Sequence, residues 1–547
     1  MRSSGVLRRL AIAAGLASFV SLSGANAAFP DLMTEFDQQS ALPLSPMAQE
    51  LETVLQQAAS TKTFRHKRDR AASKLFYEER GFQPVWVTGT ELNTLALEVI
   101  EVLRAAEDEG LNPADYPVPP ADFNATGTAA LAELAAAEVQ ITESALMYAE
   151  DAQGGRISPK KISKNITQNP ERPDPLDALR ALAVSANPAS VLAAYNPPHQ
   201  GYRLLKEQLK VLRTGVPATE ELVEIPTGKL LKLGVKGERV ALLRQRLKVP
   251  STPETEAVFD ADLEAAVKKF QKDNGLNSDG VVGSRSLLAL NSRITGNPIH
   301  DVIANMERWR WMPRDMGDLY IHVNVPEFLV RIRQEDFTLY EERVVVGKPA
   351  NQTPVFSDNM DHVVVNPYWN VPYSIASKEL LPEMRPNPIA YLAKGNYEVV
   401  AKGRIIDPQR VNWDAVTFKQ LRIRQRPGRG NALGNIKFMF PNKHSVYLHD
   451  TPSKSLFKRS ERAFSHGCVR VRNPMDFADA LMSFQPKLNG RYIRSLVGKR
   501  ETRVNLQTNF PIHITYFTAF VDDQGKLQRR PDIYGHNQKT IDALGLL

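Results

Sequence analysis

Two periods of hydrophobic and polar positions divide this 547-residue chain, and the change between them comes near residue 318. From about 47 to 225, apolar residues recur at the 3.6-residue spacing of amphipathic helices, as in residues 95–103. The alanine-rich stretch 128–152 predicts a further long helix. Because this part of the sequence carries no group of catalytic side chains, we interpret residues 46–228 as a structural helical scaffold domain.

A smaller helical unit is predicted over residues 229–292. It contains the string AVKKFQ at 266–271 and the string GLNSDGVVG at 275–283. This order of motifs resembles the small three-helix peptidoglycan-binding domain. The resemblance implies a groove between helices that binds the wall polymer. The alternative is a unit that only packs inside the protein.

Beyond residue 318 the period of the pattern becomes 2, which is typical of β-strands. Strands are predicted at 320–325, 342–346, 363–366, 445–449 and 512–521, with a helix at 473–483. A stretch rich in Pro, Gly and Arg at about 372–430 interrupts them, and long insertions of this kind are often active-site lids. We therefore predict a multidomain α+β protein. Its C-terminal half divides into a helical connector (293–317), a β-rich domain with an inserted lid (318–500), and a C-terminal strand segment and tail (501–547).

The N-terminus predicts export. Three arginines lie within the first nine residues, an uncharged and mostly apolar stretch follows at 10–22, and Ala-Asn-Ala stands at 25–27. This is the pattern of a secretory signal peptide, and its apolar stretch is short for a membrane span. We predict a signal peptide over 1–27, a tether over 28–45 and a periplasmic location. The alternative is an uncleaved anchor.

Composition draws attention to one residue, the single cysteine. Hydrophobic residues make up 42% and charged residues 24%, which excludes a largely disordered chain, and the net charge of +8 is too dilute to indicate nucleic-acid binding. The single cysteine, Cys468, has no partner for an intramolecular disulfide. In an exported protein it is therefore either an inert buried side chain or a thiol kept for its chemistry.

The neighbours of Cys468 favour chemistry. It stands in Ser465-His466-Gly467-Cys468-Val469-Arg470, downstream of Val446-Tyr447-Leu448-His449-Asp450. A thiol becomes a good nucleophile when a base or a cation lies nearby, and these strings supply two imidazoles. The glycine before the sulfur permits a tight turn whose main-chain N–H groups suit an oxyanion hole.

These motifs resemble the signature of the L,D-transpeptidases with a YkuD-type catalytic domain. Trp369-Asn370-Val371-Pro372, Asn431-Ala432-Leu433-Gly434 and Phe440-Pro441-Asn442 strengthen the resemblance. The order of signal, scaffold, peptidoglycan-binding module and catalytic domain is similar to that of the large YcbB-like members. The resemblance covers most of the chain after the signal and is weakest in the scaffold.

The resemblance implies an acyltransferase that acts on peptidoglycan tetrapeptides. Cys468 would attack the carbonyl of the third stem residue, D-Ala would leave, and a diaminopimelate amine of an acceptor stem would resolve the thioester as a 3→3 cross-link. His449 would be the base, and the N–H groups around Gly467 would hold the oxyanion. No cofactor and no metal are expected. Partners would be peptidoglycan and other wall-synthesis enzymes, and carbapenem-type β-lactams would inhibit.

Strand alternation favours His449 over His466 as the base. Tyr447 and His449 share one face of a strand, while Asp450 points to the other and is expected to be structural. Ser465 and His466 are assigned to supporting the turn or the substrate. Arg470, Tyr447 and Trp369 are tentative substrate-binding residues, and for Arg470 a role in holding the turn stays equally open.

Other classes of function fit less well. His444 and His449 are an odd number of residues apart, so a strand turns them to opposite faces, and the sequence contains no HExxH motif for a metal site. Gly428-Arg429-Gly430 lacks the Lys-Ser/Thr of a phosphate-binding loop. Export makes the arginines around 422–429 more suited to an anionic wall than to nucleic acid. The remaining alternatives are an L,D-carboxypeptidase, a wall amidase using the same cysteine, and a non-catalytic peptidoglycan-binding protein.

Overall fold

The structure is a computed structural model that describes residues 43–60, 65–215, 223–273, 276–291, 297–416 and 421–546. The predicted signal peptide, and the predicted tether as far as residue 42, lie outside the described residues. Within the described ranges, no helix combines the length and the apolar character that a membrane crossing requires.

The N-terminal part is helical, as predicted. Its helices are α1 (Pro46–Ser60), α2 (Lys67–Glu79), α3 (Thr94–Arg104), α4 (Ala130–Gly154), α5 (Pro159–Ile162), α6 (Pro175–Val184), α7 (Pro188–Ala193) and α8 (Gln200–Thr214), with a hairpin of β1 (Val87–Thr88) and β2 (Glu91–Leu92). The alanine-rich stretch forms α4, and small side chains let its neighbours pack closely. The buried Glu138 on α4 accepts the N–H groups of Val85 and Trp86 at 2.5 and 2.8 Å and thereby holds the hairpin.

The smaller helical unit has the three predicted helices, α9 (Glu238–Leu247), α10 (Ala261–Asp273) and α11 (Ser284–Asn291). They surround a core of their own, which includes Val240, Leu243 and Val267. Gln271, the last residue of the AVKKFQ string, is buried, and its amide donates to Val281 O and accepts from Gly280 N–H. The two sequence strings are thus tied together by one side chain. Helix α12 (Pro298–Arg310) follows.

The β-rich part begins with β3 (Leu319–Asn324), β4 (Leu329–Gln334), β5 (Phe337–Gly347) and β6 (Phe356–Val365). The predicted lid then forms a small folded insertion. It consists of β7 (Trp369–Asn370), α13 (Tyr373–Ile375), α14 (Leu381–Met384), α15 (Pro388–Lys394), β8 (Tyr397–Ala401), β9 (Arg404–Ile406) and β10 (Leu421–Gln425). Its strands pair in the order β7-β10-β8-β9 over a separate core around Met384, Val399 and Ile423.

The chain then returns to the main sheet. The remaining elements are β11 (Ile436–Met439), β12 (Leu448–His449), β13 (Ala463–Ser465), β14 (Val469–Val471), α16 (Pro474–Met482), α17 (Gly490–Leu496), β15 (Thr502–Thr515), β16 (Ala519–Val521), β17 (Leu527–Arg529) and α18 (His536–Leu544). The strand predicted at 445–449 is only two residues long.

The main sheet has nine strands in the order β13-β5-β14-β12-β11-β6-β15-β3-β4, and β4 also pairs with β5. That extra pairing closes the sheet on itself, so its inner face is shielded from solvent. β15 lies between β6 and β3. The predicted C-terminal segment 501–547 therefore supplies an interior strand of this sheet.

The helical N-terminal part reaches the main sheet through the segment that follows α5. Ile166 bridges to Val355 in parallel, with the N–H of Thr167 donating to Val355 O at 2.9 Å. Ile166 also belongs to the main hydrophobic core. Asn165 Nδ2 donates to Gln352 Oε1 at 3.0 Å. The stretch just after β5 is thus held from the scaffold side.

Candidate active site

The pairing of β12 with β14 collects the chemistry-bearing side chains on one face. Leu448 lies opposite Val469 in parallel register, and both side chains are fully buried in the main core. Because successive side chains point to opposite faces of a strand, His449, Cys468 and Arg470 share the other face. The prediction that the cysteine and His449 come together is therefore supported by register.

The Cys468 thiol sits in a half-buried position against a tyrosine. Its Sγ lies 3.9 Å from the carbonyl oxygen of Ser445, and the backbone N–H and hydroxyl of Tyr447 also contact it. Burial raises the pKa of the thiol, against the opposing pull of Tyr447 and of the Arg470 cation. The thiol is therefore protonated at neutral pH, and its reaction as a nucleophile requires a base.

His449 has the tautomer that such a base needs. Its imidazole is 5% exposed, and Nδ1 lies 2.5 Å from the backbone carbonyl oxygen of Asp450. A carbonyl oxygen only accepts, so Nδ1 carries the proton and Nε2 keeps its lone pair. Burial, followed by the charge of Arg470, lowers the pKa of the imidazole to about 3. His449 is neutral at physiological pH.

A second cation, Lys437, lies beside His449 on the neighbouring strand, and it was not predicted from the sequence. Lys437 on β11 pairs with His449, which in turn pairs with Arg470. Its Nζ lies 5.7 Å from the ring centroid of Tyr447, and burial lowers its pKa. In the sequence, Lys437 stands as a polar residue between the apolar Ile436 and Phe438, both of which are buried. The sequence does not show which strand residue Lys437 pairs with.

Asp450 points away from this face, as the alternation predicts. Its Oδ1 accepts from Lys454 Nζ at 2.7 Å, and its Oδ2 accepts from the N–H of Asn435 at 2.9 Å. The side chain also fills the space beside Gly434, where any Cβ would lie 2.2 Å from Oδ2. Its carboxylate is structural, while its backbone carbonyl orients the His449 imidazole.

The turn that carries the nucleophile is closed by Ser465. The Ser465 hydroxyl donates to Cys468 O at 2.5 Å and accepts the N–H of Gly467 at 3.1 Å. Gly467 has φ of 120°, a conformation that requires glycine. Ser465, predicted to support the turn or the substrate, is thus placed within the turn. Gly467 N–H, predicted as an oxyanion donor, is already bonded and would have to share that bond.

Thr353 supports the same turn from behind and was missed in the sequence. Its fully buried hydroxyl donates to Gly467 O and accepts Gly347 N–H, both at 2.8 Å. Its own N–H donates to the Tyr534 hydroxyl at 3.2 Å, and that hydroxyl donates to Gly347 O at 2.5 Å. Nothing local marks Thr353 as part of this turn, because Gly467 and Tyr534 lie more than 100 residues away in the sequence.

The lid meets the site at His466. This exposed side chain places Nε2 2.7 Å from Oε1 of Glu379, in the lid. It therefore contacts the lid, on the outer side of the nucleophile turn. Trp369, a tentative substrate-binding residue, belongs to β7, where it pairs with Gln425 and its ring centroid lies 6.4 Å from that of Tyr397. The structure thus places Trp369 in the lid sheet and Tyr447 at the sulfur.

Arg470 offers an unused hydrogen-bond donor beside the thiol. Its side chain is half-buried, and its Nε is buried with no hydrogen-bond partner in the part of the chain that the structure describes. Burial lowers the pKa of the guanidinium, and the nearby Cys468 sulfur opposes this. A free guanidinium donor facing a nucleophile suits a substrate carboxylate.

Another group of titratable side chains lies far from this site. His66, Asp69 and Glu150 bring possible ligand atoms within 4.8 Å of one another in the helical N-terminal part. The Arg68 guanidinium forms ion pairs with both carboxylates. The positive charge that such a group could attract is therefore already supplied by a side chain.

Comparison with family models places the site in a known catalytic domain. Residues 318–489 match the model described as "L,D-transpeptidase catalytic domain". His449 and Cys468 both lie within this match. Residues 71–209 match a "Scaffold domain" and residues 236–290 a "Putative peptidoglycan binding domain". The three matches follow the order of the predicted domains.

Individual relatives agree with this family. A protein of Haemophilus influenzae named "Putative L,D-transpeptidase" is 34% identical over 237 residues, which cover 43% of this chain and 47% of that protein. The chain thus aligns with about half the length of this curated relative.

Solved structures of two L,D-transpeptidases also match, those from Xylanimonas cellulosilytica and Stackebrandtia nassauensis. Each is 14% identical and covers 53% of this chain. The matches span 99% and 96% of those chains, with TM-scores of 0.17 and 0.20. At TM-scores this low, the likeness supports no conclusion about this chain.

The protonation states of His449 and Cys468 predict a flat pH profile for acylation of the thiol. His449 must be neutral to act as a base. Its pKa is lowered from the usual 6.5 of histidine to about 3, so the acid limb of the pH profile lies near pH 3. The raised pKa of Cys468 moves the alkaline limb upward. We expect the rate of Cys468 acylation by a carbapenem, followed by intact-mass analysis, to vary by less than about twofold from pH 5 to 8. An inflection near pH 6.5 would contradict this.

Thr353 should control the nucleophile turn through its hydroxyl. Thr353→Val keeps the shape but leaves two buried backbone groups unpaired, at a cost of about 1–3 kcal/mol each. We expect Cys468 acylation to slow by roughly tenfold or more, while Thr353→Ser, which keeps the hydroxyl, stays within about threefold of wild type. Stopped-flow acylation on samples with matching circular dichroism spectra tests this. Equal rates for the two variants would remove the role.

Proposed function

We propose that this chain is a cysteine-dependent L,D-transpeptidase that forms 3→3 cross-links between peptidoglycan stem peptides through a thioester on Cys468. One observation carries the proposal: the thiol and a neutral imidazole share a strand face, and the Asp450 carbonyl holds the imidazole in the tautomer of a base. The family of residues 318–489 supports the same conclusion.

In the first half of the reaction, His449 Nε2 takes the proton of the Cys468 thiol. The sulfur then attacks the carbonyl carbon of the third residue of a tetrapeptide stem. As the C–N bond to D-Ala breaks, the departing amine takes the proton from the imidazolium, and a thioester remains. Lys437 and Arg470 stabilise the sulfur while it carries negative charge. The same two cations disfavour imidazolium, which speeds the return of the proton.

In the second half, the side-chain amine of a diaminopimelate residue on another stem attacks the thioester. Neutral His449 takes a proton from that amine, the C–S bond breaks, and the sulfur regains the proton. The new amide joins two third-position residues, and the enzyme returns to its starting state. Water in place of the amine would give an L,D-carboxypeptidase.

The surroundings of the site support a polymeric, anionic substrate. The half-buried Arg470 guanidinium would bind a stem carboxylate, and the lid that contacts His466 would cover the bound stem. Residues 236–290, with their match to a peptidoglycan-binding model, would keep the enzyme on the wall. This function requires a periplasmic location, in agreement with the pattern of the first 27 residues.

The products identify the reaction. Incubating the protein with sacculi rich in tetrapeptides should yield 3→3 cross-linked muropeptides with release of D-Ala, identified by mass spectrometry after muramidase digestion. Cys468→Ser should yield none, because an alcohol at this position is a much weaker nucleophile. Tripeptides without cross-links would indicate a carboxypeptidase, and unchanged sacculi would indicate a binding protein.

Variants of His449 and His466 distinguish the base from a supporting residue. We expect His449→Ala to slow acylation of Cys468 by about 10²–10⁴-fold at neutral pH, and its remaining rate to rise with pH as hydroxide deprotonates the thiol. His466→Ala removes only the lid contact, so it should stay within about tenfold of wild type and lack the rescue at high pH. Carbapenem acylation rates against pH decide this, and the reverse pattern would exchange the two roles.

A further inference from the structure

A cleft lies between the small helical unit and the main sheet. It has a volume of about 360 Å³ and is bordered by 276–278 on one side and by the loop 459–462 on the other. The walls are in contact: the N–H of Asn277 donates to Ser460 Oγ at 3.1 Å, and Arg285 pairs with Glu461 at 2.9 Å. The cleft is therefore formed jointly by the unit matching a peptidoglycan-binding model and by the catalytic domain.

Four arginines line this cleft, and within the described ranges none of them forms an ion pair with a carboxylate. Arg343 donates to Phe457 O at 3.3 Å, and the Arg459 guanidinium lies 5.0 Å from the ring centroid of Phe464. The buried Arg462 donates to backbone carbonyls only, among them Phe328 O at 3.0 Å. Arg530 donates to the Gln528 amide oxygen at 3.2 Å.

The two carboxylates on the cleft form their ion pairs with another arginine. Glu327 and Glu341 both pair with Arg331, at 2.8 Å each. Burial, and then repulsion from Arg343 and other arginines, lowers the pKa of Arg462 to about 10. The cleft therefore keeps an excess of positive charge on directional, planar donors.

The excess charge continues toward the reacting groups. Arg343 also lines a neighbouring cleft of about 550 Å³, together with Lys458 and with Lys454, whose charge is paired with Asp450. That cleft reaches Asp450, whose backbone carbonyl orients His449. A basic strip thus runs from the small helical unit to the rear of the catalytic strands.

We propose that the cleft between 276–278 and 459–462 binds the carboxylates of peptidoglycan stem peptides, at a position separate from Cys468. This inference rests on the proposed function. Arginine recognises carboxylates through paired hydrogen bonds, and the stem peptides carry carboxylates, whereas the glycan exposes one only where a muramic acid lacks its stem. A stem held here would be a neighbour of the one that reacts, on the same polymer.

The test measures sacculus binding in a Cys468→Ser background, so that no catalysis alters the polymer. The exposed Arg343 and Arg459 are changed together, as Arg343→Gln and Arg459→Gln. The matched control changes Arg180→Gln and Arg503→Gln, two exposed arginines with the same loss of charge on other elements. Both proteins are checked for an unchanged thermal transition before binding is measured by co-sedimentation.

We expect the cleft variant to lose roughly tenfold in affinity for intact sacculi while the control stays within about twofold. On sacculi whose carboxylates have been amidated, the parent and the cleft variant should bind equally. Equal loss in the control, or tight binding of amidated sacculi by the parent alone, would overturn the proposal. Failure of the proposed function would appear separately, as absence of 3→3 products with wild type.

Discussion

The parallel register of β12 and β14 is the constraint on which the site depends. It places Leu448 opposite Val469, and the burial of both side chains holds it, because a slip of one residue would turn His449 into the core and Leu448 out of it. The same register sets Cys468 beside Tyr447 and aligns Lys437 and Arg470 on either side of the imidazole.

Burial and charge act on the two reacting groups in different ways. Burial disfavours the charged form of both, so it lowers the pKa of His449 and raises that of Cys468. The cations Lys437 and Arg470 favour the thiolate and disfavour the imidazolium. The resting state is therefore a neutral thiol beside a neutral base, and the site is arranged to stabilise charge that appears on sulfur during the reaction.

The nucleophile turn joins distant parts of the chain. Thr353 holds Gly467 from behind, and its own segment is held by the Ile166–Val355 bridge from the helical part and by Tyr534 from the C-terminal part. The scaffold, the catalytic sheet and the C-terminal segment thus meet within a few hydrogen bonds of the sulfur.

The sequence by itself determined what depends on near neighbours. Periodicity predicted the helices and most strands, and the Pro-, Gly- and Arg-rich interruption predicted the lid. Alternation predicted that His449 faces the site and Asp450 does not. The motif around Cys468 predicted the nucleophile. Only the tertiary structure decided the partners: Lys437 beside His449, Thr353 behind Gly467, the Ser465 hydroxyl on Gly467 N–H, Trp369 in the lid sheet, and the arginine cleft. Apart from the Ser465 turn, these contacts join strands and loops that are separated in sequence. Strand register is set by which face of each strand is buried in the core, and a local sequence pattern does not specify which strands pair.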